Sequence, residues 1–422
     1  MRVLAWEKSL CVAKTRFFFA QPGFPSAGAF GFGLAPLRPA RFVVVVNWIH
    51  LPLLALLAGL ALPAHAQPAR PFPPGFQLDA DSAWQRRVEG KLVPRTAGVY
   101  VGNYSGWSNC VALLATNKVA DAILVPAVGG RIVQYSLAGD NILFEPPEGA
   151  GKTLAAARPG FPVGGYQCDV GPESPALPDH PQLWQGRHTW TSPADWHVRT
   201  SSGKDPATGL EISKSIRLDP ETGALHLMQW VDNKLPPEMN VCLRDRTLCR
   251  GGGFVFFPLN AKSRFAAGWA LRRNTGEKVT YDGTTPFSPN VRVIDGILVA
   301  KAGGEPLRLG ADSDAGWIAY ARGRLLFVKF FNWFADGTYA DGGNSVETSW
   351  DAESVELEIR SPETKLRRFN PYGFAGRWML LPLEEPATTF DQARALAGRV
   401  AALKKSSGKL DMARQIPRLS GQ

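Results

Sequence analysis

The chain has 422 residues, of which 45% are hydrophobic and 20% are charged, a composition that excludes a disordered chain and favours a large folded core. Residues 1–66 carry half of the net charge of +10, so the rest is mildly basic and has no dense Lys/Arg run of the kind that binds nucleic acid. The 43 glycines and 34 prolines indicate frequent turns and therefore many short strands.

The N-terminal segment is predicted to be an export signal. Residues 51–62 form an apolar run of signal-peptide length, two arginines precede it, and residues 64–66 (AHA) have the small-x-small pattern of a cleavage site. We predict that residues 1–66 form an over-long signal-peptide region with a true start near 43–46, that cleavage follows Ala66, and that the mature protein is periplasmic or secreted. The alternative is a membrane anchor over residues 42–64, but the cleavage pattern favours a protein without a stable membrane span after processing.

The mature part is predicted to be a single β domain over residues 96–406, after a flexible lead-in (67–95) and before a flexible tail (407–422). Segments rich in Val, Ile, Phe, Tyr and Trp alternate with Gly, Pro, Asn and Asp turns, as in 97–104, 131–137, 224–231 and 325–331. No strand–helix–strand alternation occurs, so the predicted fold class is all-β, a large antiparallel β-sandwich. One short C-terminal helix is predicted over residues 389–405, with Thr388 or Thr389 as its N-cap and Gly408 after its end. Residues 146–182 are predicted to form a long surface loop.

Four cysteines of the mature part, Cys110, Cys168, Cys242 and Cys249, allow three pairings. Cys242 and Cys249 bracket the polar segment LRDRTL, which is predicted to be a loop closed by a disulfide, and Cys110 with Cys168 would then form the second pair. The alternative is four buried free thiols. No metal site is predicted, because no C-x-x-C pair has a second pair or histidine partners.

Three patches combine polar and aromatic residues and suggest a sugar site. A pyranose offers an apolar face to an aromatic ring and hydroxyl groups to carboxylate, amide and guanidinium partners. The patches are 127–145, 186–198 and 328–350, and the predicted sugar-binding residues in them are Arg131, Asn141, Trp190, Trp196, Lys329 and Asp341. The alternatives are core packing for each Trp, a structural ion pair for Arg131 with Glu145, and a solvated strand position for Glu347.

The same patches carry a family resemblance over roughly residues 97–400. VGGRI and GDNILF in the first patch, W-x-S-P-x-x-W in the second, and Y-x-D-G-G-N-x-V-E-T in the third, followed by SVELEIRSP and GRWMLLPL, resemble a bacterial domain-of-unknown-function family. That family is grouped with the galactose-mutarotase-like (aldose 1-epimerase-like) superfamily. The resemblance implies a supersandwich of stacked antiparallel sheets with a concave, carbohydrate-binding face.

In aldose 1-epimerases a Glu takes the proton of the anomeric hydroxyl and a His donates one to the ring oxygen. The resemblance therefore implies Glu347 as the base and His188 as the acid, a division of labour that requires tuned pKa values. The N-x-H-x-Y-F signature of true aldose epimerases is absent, and His226 lies on a predicted strand without those neighbours.

The predicted function is that of an exported carbohydrate-binding protein, with a mono- or oligosaccharide as partner and no cofactor or nucleic acid. A sugar-active enzyme of the epimerase type and a structural module of the cell envelope without a small ligand are the alternatives. The missing epimerase signature favours binding over catalysis.

Overall fold

The computed structural model describes residues 72–88, 91–116, 119–155, 157, 160–173, 177–235, 237–275, 278–282, 288–408 and 410. The predicted export signal and most of the predicted tail lie outside the described residues.

The first half of the described chain contains, in chain order, β1 (Gln77–Leu78), β2 (Gln85–Val88), β3 (Lys91–Pro94), β4 (Val99–Tyr104), β5 (Trp107–Leu114), β6 (Ala120–Val125), β7 (Arg131–Leu137), β8 (Asp140–Asn141), β9 (Gly165–Gly171), α1 (Pro181–Trp184), β10 (Thr189–Ala194), β11 (His197–Ser201), β12 (Leu210–Leu218) and β13 (Leu225–Asn233). The second half contains β14 (Met239–Arg250), β15 (Phe254–Pro258), β16 (Ala270–Thr275), β17 (Lys278–Asp282), β18 (Val291–Ile294), β19 (Ile297–Lys301), β20 (Leu307–Ala311), β21 (Trp317–Arg322), β22 (Leu325–Phe331), β23 (Val346–Trp350), β24 (Ser354–Arg360), β25 (Thr364–Leu366), β26 (Tyr372–Pro382) and α2 (Phe390–Ser407).

These strands form two large antiparallel sheets, which confirms the predicted all-β class. The larger sheet has 14 strands in the order β1-β4-β5-β6-β7-β9-β14-β24-β23-β20-β16-β17, with β8 beside β7 and β25 beside β14. The smaller sheet has 10 strands in the order β10-β11-β12-β13-β26-β22-β21-β15-β19-β18. Strands β2 and β3 form a separate hairpin, and β1 adds to the edge of the larger sheet, so the described part of the predicted lead-in contains strands.

The main hydrophobic core lies between the two sheets. Tyr135 and Tyr166 of the larger sheet contact Phe327 and Trp378 of the smaller one, with ring centroids 5.2–6.1 Å apart. Aromatic rings at these separations fill the space between facing sheets and add specific edge-to-face contacts. Inward-facing residues alternate along each strand with residues that point away from this core.

The far face of the larger sheet, which points away from the smaller sheet, has two different halves. Over β4–β7 it is apolar, and Phe76, from the lead-in, and Val163, from the predicted long loop, pack on it. Over β9, β14, β24, β23 and β20 the same face carries charged side chains. The apolar half is therefore covered by chain, and the charged half contains the candidate site.

The C-terminal helix α2 confirms the predicted helix almost to the residue. Thr389 caps it, because the Thr389 side chain accepts a hydrogen bond from the Gln392 amide and the Gln392 side chain accepts one from the Thr389 amide. Its buried residues Ala393, Ala397 and Val400 recur at helical spacing, and the helix packs against β15 and β19 of the smaller sheet.

The predicted Cys242–Cys249 disulfide is wrong, and the four described cysteines are free and buried. LRDRTL is the middle of the 12-residue strand β14, so the two Cα atoms are about 23 Å apart at roughly 3.3 Å per residue. An odd spacing also points the two side chains to opposite faces of the sheet. The second pairing fails for a similar reason, because Cys168 faces the core between the sheets and Cys110 faces the apolar far half.

Candidate functional site

The strand β14 shows why charged residues collect on one face. Arg244 and Arg246 point away from the core, whereas Leu243, Asp245 and Thr247 alternate with them and point inward. The register places Asp169 and Arg360 on either side of Arg244, and Gln167 and Glu358 on either side of Arg246. Residues directly opposite in antiparallel strands share a face, so the side chains of three strands meet there.

We call this surface the charged face. It contains Arg131, Gln167, Asp169, Arg244, Arg246, Arg272, Arg308, Glu347, Glu356, Glu358 and Arg360 on strands, with Glu173, His180 and Asp341 from adjoining loops.

A network of ion pairs holds the centre of the charged face. Glu358 accepts two bonds from Arg244 (Nε–Oε1 2.7 Å, Nη2–Oε2 2.9 Å) and one from Arg360 (Nε–Oε1 2.6 Å). Burial alone would raise the pKa of the Glu358 carboxyl, but Arg244 and Arg360 hold that pKa well below its usual range. The fork of each guanidinium matches a carboxylate, so the network fixes side-chain positions before any ligand arrives.

Glu347, the predicted base, belongs to this network. It is 1% exposed, its Oε2 accepts a bond from Arg360 Nη2 at 2.9 Å, and its Oε1 is bonded by Arg308. Asp341 accepts a bond from Arg360 Nη1 at 3.0 Å. The structure therefore brings Glu347 and Asp341 together, through arginines that sequence reasoning missed. The spacing of Glu356, Glu358 and Arg360 in SVELEIR, charged at every second position, was the signal that could have found them.

A cavity of about 280 Å³ opens at one end of the charged face, and we call it the His180 cavity. His180 Nε2 lies 3.1 Å from Asp169 Oδ1 and Nδ1 lies 2.7 Å from the Pro178 carbonyl oxygen. Burial lowers the pKa of His180, but the hydrogen bond and charge of Asp169 outweigh burial and raise it to about 9. Both ring nitrogens have acceptors, as an imidazolium requires.

Glu173 lines the His180 cavity together with Arg244 and Arg272. Its carboxylate lies 2.5 Å from Arg244 Nη2 and 3.2 Å from Arg308 Nη2, and Arg272 also bonds it. Burial raises the pKa of Glu173, but Arg244 and Arg308 outweigh burial and lower it to about 2. A protonated histidine and an ionised carboxylate thus line one cavity at neutral pH.

A second cavity, of about 270 Å³, lies beside the first, and we call it the Arg131 cavity. Arg131, Gln167, Trp184, Arg246 and Glu356 line it, with residues 160–165 of the predicted long loop. Arg131 donates from Nη1 to the Gly164 carbonyl oxygen at 2.9 Å and from Nη2 to Gln167 Oε1, and its Cζ lies 6.0 Å from the centroid of the Trp184 ring. Arg246 donates from Nε and Nη2 to both oxygens of Glu356, at 3.3 and 2.8 Å.

The short helix α1 connects the two cavities. His180 precedes it and Trp184 is its last residue, so one turn of helix places the imidazole in one cavity and the indole in the other. Sequence reasoning chose the tryptophans of the next patch instead, because W-x-S-P-x-x-W is the more conspicuous pattern.

Two other predicted site residues lie away from both cavities. Asn141 Oδ1 accepts bonds from the amides of Tyr135 and Leu143, each at 3.0 Å, so its side chain closes the turn around β8. Lys329 lies between the sheets, 0% exposed, with Nζ 2.7 Å from Asp245 Oδ1. The contacts of these side chains are structural.

The residues predicted from the second patch also lie elsewhere. His188 is buried, with Nε2 3.0 Å from the Leu183 carbonyl oxygen, and burial holds its pKa well below the ordinary value. Trp190 stacks on Trp84 at 4.6 Å, and Trp196 donates from Nε1 to the Leu114 carbonyl oxygen at 2.8 Å. His188 and Trp190 line a third cavity of about 230 Å³. The three sequence patches therefore do not converge on one site.

Among the described residues, no group of three or more His, Cys, Asp or Glu side chains is arranged to hold a metal ion. In the same part of the chain, no helix has the length and apolar character needed to cross a membrane.

Comparisons with known proteins give a likeness in fold only. No protein-family model matches the chain, and no curated protein matches it. Similar solved structures include a galactose mutarotase-related enzyme from Lactobacillus acidophilus (9% identity, 65% of this chain and 99% of that chain, TM-score 0.43) and a galactose mutarotase-like protein from Lactobacillus casei (11%, 64% and 100%, TM-score 0.43). A TPR-domain containing protein from Parabacteroides distasonis is also similar (14% identity, 77% of this chain and 54% of that chain, TM-score 0.47).

Proposed function

We propose that the protein binds a carbohydrate on the charged face of the larger sheet, with the sugar ring in the Arg131 cavity. The observation that carries this proposal is the composition of that cavity. The half-buried Trp184 ring offers an apolar wall, and guanidinium, amide and carboxylate groups stand around it. Small-molecule sites combine apolar walls with a few placed polar groups, and the cavity volume of about 270 Å³ lies just below their roughly 300–1,000 Å³.

Pre-organisation supports the same proposal. Arg246 is held by Glu356, and Arg131 is held by Gln167 and the Gly164 carbonyl oxygen. Side chains that are already fixed lose little conformational entropy when a ligand arrives, so each new hydrogen bond contributes more to affinity. Sugar hydroxyls can both donate and accept, which suits a surface where carboxylates alternate with guanidinium groups.

A glycan array followed by calorimetry tests this proposal. We expect binding of at least one class of glycan, and loss of that binding in Trp184→Ala. Phe369→Ala is the control, because Phe369 is an exposed aromatic residue at 63% exposure that lines neither cavity. An array without any bound glycan would reject the proposal and favour a structural module of the cell envelope. Binding that survives Trp184→Ala would place the sugar elsewhere.

The site of action is part of the proposal. An exported carbohydrate-binding protein would meet its glycan in the periplasm or outside the cell, after loss of residues 1–66. N-terminal sequencing of the protein recovered from the periplasm or medium should begin at Gln67. Retention of Met1 or Arg2 would reject cleavage.

The His180 cavity supports a second candidate function, an acid–base enzyme acting on a sugar. His180 would serve as the proton donor, since Asp169 keeps it protonated at neutral pH in its cavity, whereas burial holds the pKa of His188 well below the ordinary value. Glu347 stays the predicted base, and Glu173 and Asp169 are carboxylates that line the cavity with His180. Polarimetry of freshly dissolved glucose or galactose would detect mutarotation. Acceleration that is lost in His180→Gln favours the enzyme, and acceleration retained in Glu347→Gln rejects Glu347 as the base.

A further inference from the structure

Arg131 differs from the other arginines of the charged face. Among the described residues, Arg244, Arg246, Arg272, Arg308 and Arg360 each lie within 4.0 Å of at least one carboxylate oxygen. No described carboxylate lies that close to the guanidinium of Arg131, which is only 4% exposed.

The hydrogen-bond inventory of Arg131 is also incomplete. A guanidinium has five N–H groups, and the described partners are the Gly164 carbonyl oxygen and Gln167 Oε1. Arg131 Nε is buried without any hydrogen-bond partner among the described residues. Burying a charged donor without a partner is unfavourable, and a ligand that accepts a hydrogen bond from Arg131 would remove that cost.

The surroundings of Arg131 favour an anion as that ligand. Arg131 and Arg246 line the same cavity. Glu356 also lines it and accepts two hydrogen bonds from Arg246. Burial, followed by the charge of Arg246, lowers the pKa of Arg131 to about 9, so Arg131 and Arg246 are both positively charged at neutral pH. Of these two cations, only Arg246 is paired with the carboxylate that lines the cavity, Glu356. An entering oxyanion would relieve this imbalance.

We propose that the Arg131 cavity binds the anionic group of an acidic sugar, a carboxylate, sulfate or phosphate, through Arg131. The inference rests on the proposed carbohydrate function and names its substrate class. The sugar ring is expected beside Trp184, because an inorganic anion alone would leave that apolar wall uncovered. A guanidinium donates paired hydrogen bonds to a carboxylate and to a tetrahedral oxyanion in the same bidentate manner, so the chemistry is shared and the experiment separates the sources.

The test uses the full chain and matched ligands in calorimetry at low salt. Methyl glucuronide and methyl galacturonide are each compared with their neutral methyl esters, glucose 6-phosphate and glucose 6-sulfate are compared with glucose, and inorganic phosphate is measured alone. We expect the acidic member of at least one pair to bind at least about tenfold more tightly, the gain of one charge-assisted hydrogen bond or more. That preference should fall as salt rises.

Two variants assign the preference to one side chain. Arg131→Gln should bind the acidic and the neutral member of the pair with equal affinity. Arg324→Gln is the control, because it removes a positive charge that is 66% exposed and lines neither cavity. If Arg131→Gln does not fold, the comparison of each acidic sugar with its neutral ester on the wild-type protein still decides whether the site prefers an anion.

The outcomes separate the two proposals. Equal binding of acidic and neutral sugars overturns this inference and leaves the carbohydrate function standing. Binding of inorganic phosphate as tight as that of any acidic sugar also overturns it, as does an acid preference that Arg131→Gln leaves intact. No binding of any sugar, acidic or neutral, overturns the proposed function and this inference with it.

Discussion

Replacing Lys329 with Met tests whether the charge of Lys329 stabilises the fold or binds sugar. Lys329 was predicted to bind sugar, but its ammonium lies between the sheets. Nζ is 2.7 Å from Asp245 Oδ1 and donates to the Asp245 carbonyl oxygen at 3.0 Å, Thr247 Oγ1 at 2.8 Å and the Leu357 carbonyl oxygen at 2.9 Å. Methionine is unbranched like lysine but one atom shorter, and it removes the charge and all three donors.

The expected loss of stability follows from these contacts. Removing one partner of a buried ion pair costs about 3–5 kcal/mol, because the other charge stays buried without compensation. The Asp245 carboxylate would keep only Gln229 Nε2, at 3.0 Å, and Thr247 Oγ1, at 3.4 Å. The orphaned carbonyl oxygens add to the cost, but contributions within one network are not additive. We therefore expect the free energy of unfolding to fall by about 3–5 kcal/mol.

Urea unfolding followed by tryptophan fluorescence measures this loss, and an unchanged m-value would show that the unfolded state is not altered. The double variant with Asp245→Asn should recover part of the stability, because the amide needs no counter-charge and still accepts from Gln229. Sugar binding by folded Lys329→Met should match the wild type. A change in stability below about 1 kcal/mol together with lost sugar binding would refute the reasoning, since an exposed ion pair contributes about that much.

Three further predictions concern the cysteines, the His180–Asp169 pair and Gly98. All four described cysteines should be alkylated in denaturant without reductant, because all are free thiols. In the folded protein they should react slowly, since burial raises the pKa of each thiol. If mass spectrometry finds only two of them labelled in denaturant, the other two form a disulfide. The stability advantage of the wild type over His180→Gln should shrink as the pH rises from about 6.5 through about 9, because Asp169 raises the pKa of His180 to about 9 in the folded state only. The difference between the two proteins is the measure, because burial lowers the pKa of Lys214 to about 7 and gives both proteins a slope of the opposite sign. A difference that does not change with pH argues against the pair. Gly98→Ala should destabilise more than Gly296→Ala, because both have positive φ but only at Gly98 would a Cβ lie 2.0 Å from Trp196 Nε1; equal losses would contradict the placement of that indole.

The strand–turn rhythm predicted the fold class correctly because the signal is local. A strand needs only alternating or β-branched residues between turn formers, and α2 needs only helical spacing with a cap, all of which are readable within a dozen residues. The same local reading failed at LRDRTL. Its polar composition resembles a loop, but Arg244 and Arg246 point to the charged face and Asp245 is neutralised inside by Lys329, so the segment is a central strand.

The candidate site was predictable only in part. Glu347, Asp341 and Arg131 were identified from their residue types and do lie on the charged face, whereas Lys329, Asn141 and His188 have the same kind of side chain and lie elsewhere. A polar residue in a strand reads the same in sequence whether it faces a ligand or a buried partner. The difference depends on which strand packs opposite it.

By itself, the sequence determined that the chain forms many short strands and one capped helix, since propensity and periodicity act between neighbours along the chain. Only the tertiary structure decided which polar residues meet. The register of β9, β14 and β24 places Asp169, Arg244 and Arg360 side by side although more than a hundred residues separate Asp169 from Arg360. Within the described part of the chain, the same fold places no carboxylate within 4.0 Å of the Arg131 guanidinium. Those meetings depend on long-range pairing between strands, and pairing is fixed by the packing of both sheets together.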